Sequence, residues 1–367
     1  MDEILDSQRT LYNAALQSRI DYYRKTGKSL TLFQQIKQLT ECRKCIQEMA
    51  ELPANLQRST LVRLDRAYKG FFRRLRTKSK AGFPRFKSSD RFKSFGFNEY
   101  SGVRLVGNRL HFKGIPGSLR IMQHREMPDG KICTCSLKKD ANGWAVSFQV
   151  KFSIDIDDEA KPDVGIDCGI TDLAILSTGK RIPNERITKR YEKELRRRQR
   201  HLSRCKRGSS GRNKARLAVA RVHLKIANTR NTYLHQASRS IVNDHGTIVV
   251  ENLNVKGLSA GILAKSIHDA AWGKFLGFIA YKAEGAGCDF IEVSPKNTSQ
   301  ECSSCGSIVK KKLHERTHEC PECGLVLDRD HNAALNILHR GVVVPGRGNV
   351  TQWGERSGRN ISLELPK

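Results

Sequence analysis

The feature that most restricts the fold of this chain is a pair of cysteine knuckles near its C-terminal end. Cys302 and Cys305 form the first Cys-x-x-Cys knuckle, and Cys320 and Cys323 form the second after a gap of fourteen residues. Each knuckle lets two thiolates reach one tetrahedral ion, and four sulfurs fill the coordination sphere of zinc. The spacing therefore predicts a ribbon with one structural zinc ion, because no ligand position is left for water.

The other cysteines show no comparable pattern. Cys42 and Cys45 form a Cys-x-x-Cys without a second nearby pair, so we interpret them as ordinary helix residues. His314 and His318 lie between the two knuckles, but four thiolates already complete the site. The chain begins Met1-Asp-Glu, which is no secretion signal, and lacks an apolar run of the roughly 18 residues that span a membrane. We therefore expect a cytoplasmic protein with metal-bound and free thiols and without membrane association.

Positive charge is the strongest compositional signal. The 367 residues include 66 Lys and Arg against 37 Asp and Glu, a formal charge of +29. Residues 61–95 have a net charge of +10 and residues 186–230 one of +15. A short charged run is usually a solvated helix face. Blocks this dense predict binding to nucleic acid, because neutralised phosphates release condensed counterions.

Individual basic side chains in or beside these blocks are candidates for contact with nucleic acid. The stretch from Gly82 to Lys87 interleaves two aromatic residues with two basic ones, a mixture that stacks bases and holds the backbone. Aromatic residues next to Pro84 are also typical of a simple packing anchor. The candidate contact residues are Arg73, Arg74, Arg76, Arg85, Lys87, Arg196, Arg197, Arg200, Arg204, Lys206 and Arg207.

The hydrophobic period changes twice along the chain. The first eighty residues have helical spacing, with one helix ending at Gly27 and a capping box at Thr31 and Gln34 that opens the next. From about residue 94 to 155 the period is two, with hairpin turns predicted at 107–108 and 140–143, which indicates a small antiparallel sheet or barrel. Strands and helices then alternate, with two long basic helices broken at 208–211, so the whole chain is predicted to be multidomain, with α+β and α/β parts.

Three carboxylates stand out in the α/β part. Asp167 interrupts an apolar strand and Glu251 ends another, where burying an unpaired charge costs several kcal/mol. Asp330 begins an alanine-rich helix after the zinc ribbon, and Asp328 competes with it for the third place. Each acid alone suggests a helix cap or a salt-bridged strand end. Together they suggest a site for two divalent ions about 4 Å apart that cleaves phosphodiester bonds.

Several motifs resemble those of the TnpB family, the RNA-guided nucleases of insertion-sequence transposons, which are similar to type V CRISPR effectors. The resemblance covers about residues 10–340. The run Phe-Phe-Arg-Arg at 71–74 and the stretch 82–87 match, as do five further segments. These are Gly165–Ile170, Val250–Leu253, Thr298–Gly306, Cys320–Gly324 and Asp328–Ala334.

The resemblance implies a domain order. Residues 1–80 would form a helical recognition lobe and residues 81–160 an antiparallel wedge β-barrel. An RNase H-like (RuvC) nuclease domain would occupy 161–296, including basic helices at 186–240, and resume at 328–341. Residues 297–327 would be a zinc-ribbon insert that binds target nucleic acid, and 342–367 a disordered tail. Family members usually begin with a further basic strand, so either the barrel lacks a strand or the true start lies upstream.

The resemblance also implies an activity. Asp167, Glu251 and Asp330 would hold two Mg²⁺ ions and cleave double-stranded DNA next to a short adjacent motif. A guide RNA from the right end of the transposon would select the target by base pairing. The basic helices would line the channel for the heteroduplex, and the protein would associate with the nucleoid when bound to DNA. Two alternatives are an RNA-guided repressor that does not cleave and an accessory transposase that transfers strands.

Overall fold

The structure is a computed structural model that describes residues 1–123, 126–153, 160–312, 314–342 and 349–350. The described residues fall into two compact units, one of residues 1–153 and one that begins at residue 160 and includes the rest of the described chain. None of the helices in the described ranges combines the length and apolar character that crossing a bilayer requires.

In the residues that the structure describes, the first unit has four helices followed by six strands. Its helices are α1 (Asp2–Thr26), α2 (Leu32–Cys45), α3 (Gln47–Glu51) and α4 (Ala54–Arg76). Its strands are β1 (Ser94–Phe97), β2 (Val103–Val106), β3 (Arg109–Phe112), β4 (Ile115–Arg120), β5 (Lys131–Asp140) and β6 (Gly143–Lys151).

The helix boundaries follow the local chemistry of the sequence. Helix α1 ends at Gly27, which adopts the left-handed conformation with φ of 68°. Helix α2 opens with the predicted capping box, in which the Thr31 side chain accepts from the Gln34 amide and the Gln34 side chain accepts from the Thr31 amide. The buried Arg19 of α1 then donates to Asp65 of α4 at 3.1 Å, so its charge is paired inside the helical bundle.

The strands of the first unit form two separate antiparallel sheets rather than one closed barrel. One sheet has the order β1-β5-β6 and the other β2-β3-β4. The predicted hairpins are present, with Val106 paired to Arg109 and Asp140 paired to Gly143. The sheets share one apolar core, in which the rings of Phe97 and Phe112 stack with centroids 5.7 Å apart.

The second unit alternates strands and helices. Its strands are β7 (Val164–Asp167), β8 (Asp172–Leu176), β9 (Arg181–Pro183), β10 (Thr247–Glu251), β11 (Asp289–Val293), β12 (Thr317–Glu319), β13 (Val326–Asp328) and β14 (Asn349–Val350). Its helices are α5 (Ile187–Arg204), α6 (Ser210–Asp244), α7 (Val255–Leu258), α8 (Ala264–Ala270), α9 (Trp272–Ala286) and α10 (Arg329–Val342).

A six-stranded sheet with the order β14-β11-β10-β7-β8-β9 organises this unit. Strand β10 runs parallel to both β7 and β11, while β8, β9 and β14 pair antiparallel to their neighbours. Strands β7 and β10 are buried on both faces, as expected for parallel strands covered by helices. Residues of α6 and α9 pack on one face, and Ile337 of α10 packs against Val249 and Val293 on the other.

Helix α10 approaches the sheet so closely that two glycines are required. A Cβ atom on Gly165 of β7 would lie 2.1 Å from the Ala334 carbonyl oxygen and 2.6 Å from the Leu338 nitrogen. A Cβ on Gly341 would lie 2.5 Å from a Val249 methyl group. Any side chain at either position would therefore push the helix away from the strands.

The end of the chain is described only in part. Helix α10 continues to Val342, the first residue of the predicted disordered tail, and Asn349 and Val350 pair with β11. The rest of the predicted tail, residues 343–348 and 351–367, lies outside the described residues.

Candidate metal centres

The four cysteines of the two knuckles converge as the spacing predicts. Their sulfur atoms all lie within 4.8 Å of one another, and the Sγ–Sγ distances are 3.6 Å for Cys302 and Cys323 and 3.5 Å for Cys305 and Cys320. A zinc–sulfur bond of about 2.3 Å in a tetrahedron separates the sulfurs by about 3.8 Å. The arrangement therefore fits a closed four-thiolate zinc site.

Both knuckles are built by the same backbone turn. The amide of Gly306 donates to the Cys302 carbonyl and that of Gly324 to the Cys320 carbonyl, each at 2.9 Å. These glycines have φ of 78° and 72°, in the left-handed region that side chains disfavour. Among the described residues, only the four cysteines form a group whose ligand atoms are close enough to share one metal ion, so neither His314 nor His318 is part of it.

The three predicted carboxylates come from two neighbouring strands of the six-stranded sheet and from the helix that packs on it. Asp167 ends β7 and Glu251 ends β10, two parallel neighbours that pair through Ile166 and Val250 one residue earlier. Asp330 lies in the first turn of α10, which packs across these strands. The carboxyl ends of the parallel strands and the start of the helix thus bring the three acids to one edge.

Electrostatics indicates how close these carboxylates are. Burial raises the pKa of Asp167 well above its usual value, and repulsion from Glu251, Asp330 and Asp328 raises it further, while Arg329 opposes the shift. Among the described residues, the three carboxylates do not form a cluster in which one oxygen of each lies within 4.8 Å of the others, as the four thiols do. Several carboxylate oxygens in one half-buried site are the donor set that Mg²⁺ prefers, so these residues fit a hard divalent cation.

Glu251 is fixed by a neighbour that sequence analysis missed. Burial raises the pKa of Glu251, and the hydroxyl of Thr298, which donates to Oε1 at 2.5 Å, acts in the opposite direction, as does the charge of Arg340. Thr298 itself is buried. The only sign of it in the sequence is its position just before the first knuckle.

Asp328 and Asp330 have different partners. One oxygen of Asp328 accepts from the backbone amides of Asp330 and His331 at 3.0 Å, which caps α10, and the other is 2.8 Å from Arg181. Although burial acts to raise it, the pKa of Asp328 is lowered by Arg181 and by these amides. Asp330 has a longer contact of 3.4 Å with the exposed Arg316. Asp328 is thus committed to the fold, whereas Asp330 has more freedom to bind a ligand.

A polar stripe on α10 holds the segment that leads into the first knuckle. Asn332 donates to the Glu301 carbonyl at 2.7 Å and accepts from the Ser303 amide at 3.0 Å. Asn336 donates to the carbonyls of Thr298 and Glu301 at 2.8 and 2.7 Å. Both asparagines are buried. In the sequence, they could have been identified as neighbours on one face of the predicted helix from their spacing of four residues.

The predicted nucleic-acid residues lie in two places, each described within its own unit. Helices α5 and α6 form a hairpin, closed where Arg212 donates to the carbonyls of Leu202 and Cys205 at 2.9 and 3.1 Å. The candidate side chains on α5 and the following loop are exposed. They are Arg196, Arg197, Arg200, Arg204, Lys206 and Arg207.

In the first unit, Arg73, Arg76 and Arg85 are exposed, whereas Arg74 and Lys87 are half-buried. Arg74 donates to the Gly82 carbonyl at 3.3 Å, so it partly holds the fold. The Lys87 backbone is bound on both sides by the Asn13 side chain, at 2.8 and 3.0 Å.

Comparison with known proteins places this architecture in a family. Residues 148–260 match the family model described as "Probable transposase" (OrfB of IS605), and residues 272–337 match the model "Cas12f1-like, TNB domain". A protein of Streptomyces pristinaespiralis named "Putative RNA-guided DNA endonuclease" is 32% identical over 98% of this chain and 90% of its own length. The chain therefore belongs to the TnpB family.

Two further matches cover Cas12f1 proteins, one by sequence over part of the chain and one by structure. The CRISPR-associated endodeoxyribonuclease Cas12f1 of Sulfoacidibacillus thermotolerans is 36% identical, over 36% of this chain and 32% of its own length. The fold resembles that of Cas12f1 in a cryo-EM structure of its complex with sgRNA and target DNA. The TM-score is 0.62 at 17% identity, over 92% of this chain and 81% of the other. The chain thus has the mixed α/β multidomain fold of Cas12f1.

Proposed function

We propose that this protein is an RNA-guided DNA endonuclease that hydrolyses phosphodiester bonds at Asp167, Glu251 and Asp330. The observation that carries the proposal is the assembly of these three acids at the carboxyl ends of β7 and β10 and the start of α10, where burial and then the charges of Glu251 and Asp330 raise the pKa of Asp167. Membership of the TnpB family supports the same function.

Each acidic residue of the proposed site has a separate role. When bound at these oxygens, Mg²⁺ supplies Lewis acidity, which lowers the pKa of water and stabilises the departing 3′ oxygen. Asp167, at the end of β7, is the acid on which the charges of both Glu251 and Asp330 act, so it is the ligand common to the site. Glu251 contributes an oxygen whose direction is set by Thr298. Asp330 closes the site from α10, and Asp328 fixes that helix start through its cap.

The sheet order supports an RNase H-like (RuvC) assignment for the second unit. Three parallel strands flanked by an antiparallel hairpin, with helices on both faces, form such a nuclease layer. In this proposal residues 161–296 and 328–341 form the nuclease domain, and residues 297–327 form its zinc-ribbon insert with one structural zinc ion. Residues 1–80 and 81–160 serve as recognition lobe and wedge domain.

The partners are a guide RNA and double-stranded target DNA. The exposed arginines of α5 and of the loop to α6 supply sequence-independent contacts to phosphates, and base pairing supplies the selection of the target. None of the eleven cysteines is in a disulfide: four are the proposed zinc ligands and the other seven are free thiols, which supports a reducing, cytoplasmic location.

The decisive experiment is purification of the protein with the RNA that it retains, followed by sequencing of that RNA and cleavage of a matching plasmid. We expect one discrete RNA species and cleavage that requires Mg²⁺. Retained RNA with no cleavage at any Mg²⁺ concentration would indicate a guided repressor instead. Joined transposon ends in place of cut target would indicate a strand-transferring transposase.

A further inference from the structure

The segment between β11 and the first cysteine knuckle makes a direct contact with the proposed catalytic glutamate. Thr298 is 4% exposed, and its hydroxyl lies 2.5 Å from Glu251 Oε1 and 3.2 Å from the Pro295 carbonyl oxygen. A threonine hydroxyl has one proton, so the shorter contact marks the carboxylate as its main acceptor. One oxygen of Glu251 is thereby held in a fixed direction, which also fixes the other.

Thr298 is held in turn by α10. The Asn336 side chain donates to the Thr298 carbonyl at 2.8 Å, and Arg340 donates to the carbonyls of Ser294 and Lys296 at 3.1 and 2.7 Å. Arg340 also forms an ion pair with Glu301. The segment 294–301 is therefore bound to the helix at four carbonyl groups, if the Glu301 carbonyl held by Asn336 is included.

The same helix carries Asp330 in its first turn, so α10 both presents one acid and fixes the partner of another. A side chain that merely satisfied a buried glutamate would need only to donate a hydrogen bond. Here the donor is itself immobilised by the element that forms the other wall of the site, which is the arrangement of an outer-shell group that orients a metal ligand.

We infer that Thr298 is a positioning residue that orients the Glu251 carboxylate for a divalent cation, with Asn336 and Arg340 keeping its segment in place. This inference rests on the proposed function. Loss of such an outer-shell partner typically weakens metal binding by about 10- to 100-fold. Thr298→Val removes the donor while keeping the shape of the side chain, and Thr298→Ser restores the hydroxyl.

The test measures Mn²⁺ binding by the protein with its copurified RNA and without target DNA, from the electron paramagnetic resonance signal of free Mn²⁺. RNA also binds Mn²⁺, so the same complex of Asp167→Ala serves as the blank. Thr247→Val is the matched control, because it makes the same change at the opposite end of β10. Cleavage against Mg²⁺ concentration is measured in parallel.

We expect Thr298→Val to bind Mn²⁺ about 10- to 100-fold more weakly and to need correspondingly more Mg²⁺ for half-maximal cleavage, while Thr298→Ser and Thr247→Val remain within about threefold of the wild type. Wild-type Mn²⁺ affinity in Thr298→Val, or a Ser variant as weak as the Val variant, would overturn the inference. A wild-type complex whose binding equals the Asp167→Ala blank and which cleaves nothing would instead overturn the proposed function.

A second variant covers the case in which Thr298→Val does not fold. Arg340 is partly exposed, so Arg340→Gln loosens the segment 294–301 without opening the core. We expect this variant to keep its melting temperature within a few degrees and to bind Mn²⁺ more weakly than the wild type. Unchanged Mn²⁺ binding in a folded Arg340→Gln would then count against the positioning role.

Discussion

The second unit contains two groups of ligand-bearing side chains, and they are assembled in opposite ways. The four cysteines come from two short knuckles whose turns are closed by their own backbone hydrogen bonds, and their sulfurs gather within 4.8 Å. The three carboxylates come from β7, β10 and α10 and, within the described chain, do not form a cluster that tight. The thiol site is therefore a product of local spacing, whereas the acidic site exists only when the sheet and α10 pack correctly.

The difference extends to electrostatics. Neutral thiols do not repel one another, so the four cysteine side chains destabilise the ribbon little before zinc binds. Asp167 is half-buried beside two other acids, and its raised pKa reflects both this burial and the repulsion from their charges. Such a site destabilises the fold when its charge is not compensated. It favours binding of a cation, because the cation relieves the repulsion between the carboxylates.

The largest expected effect comes from removing the central acid. Asp167→Ala should lower the cleavage rate by about 10³-fold or more, since several kcal/mol of transition-state stabilisation are lost at about 1.36 kcal/mol per factor of ten. Zinc content and binding of guide RNA and target should persist, because neither depends on this carboxylate. Plasmid cleavage, metal analysis and filter binding measure the three properties.

Asp163→Ala is the control for this change, because Asp163 precedes the same strand at its other end. Cleavage by Asp167→Ala at the wild-type rate would remove Asp167 from the site. The cysteines and the carboxylates lie on separate elements, so the two metal centres should be independent. Loss of zinc in Asp167→Ala would show that they are not.

The second prediction separates the two acids at the start of α10. Asp330→Asn should reduce cleavage by about 10²-fold, because an amide is a weak ligand for a hard cation. Asp328→Asn should reduce it by less than tenfold, since asparagine still caps the helix and only the ion pair with Arg181 is lost. Rates measured at saturating Mg²⁺ compare the two variants, and the reverse order would assign Asp328 to the metal.

The third prediction tests whether the zinc ribbon is local. Cys302→Ser should abolish the single equivalent of zinc, measured by plasma emission, and lower the melting temperature of the second unit. Cleavage should also fall, because the following residue, Ser303, is bound to Asn332 of α10. Cys42→Ser is the control, since this exposed cysteine of α2 belongs to an isolated Cys-x-x-Cys. Full zinc content in Cys302→Ser would show that the cluster does not need all four thiolates.

The same contrast explains which features the sequence could predict. The capping box at Thr31, the hairpin at 140–143 and the two knuckles depend on residues a few positions apart, and the structure confirms each of them. The break between helices α5 and α6 at Gly208–Gly211 could likewise be predicted, because two glycines and two serines follow one another there.

Features that depend on distant packing were not predictable in the same way. Alternating strands indicated a sheet or barrel, but not that β2-β3-β4 would separate from β1-β5-β6. The short helices α7 and α8 have no periodicity long enough to detect. The contact of Thr298 with Glu251 joins residues 47 positions apart and requires α10 to be in place, so spacing alone carries no sign of it.

The smallest predicted effect concerns the repulsion itself. Because the pKa of Asp167 in the folded state lies above its unfolded value, the native protein binds more protons between the two values, and stability falls as the pH rises through that window. Asp167→Asn removes the charge, so it should raise the melting temperature by roughly 2–4 °C for each kcal/mol relieved at pH 8 in Mg²⁺-free buffer. The gain should be smaller at pH 5, where more of the wild-type carboxyl is protonated, and smaller again when Mg²⁺ is added at pH 8. Differential scanning calorimetry of both proteins measures these shifts.

A lower melting temperature for Asp167→Asn than for the wild type at pH 8 would mean that neighbouring groups already stabilise the charged Asp167 carboxylate in the folded protein. The contrast between a destabilising acidic site and a thiol site without such repulsion would then not hold.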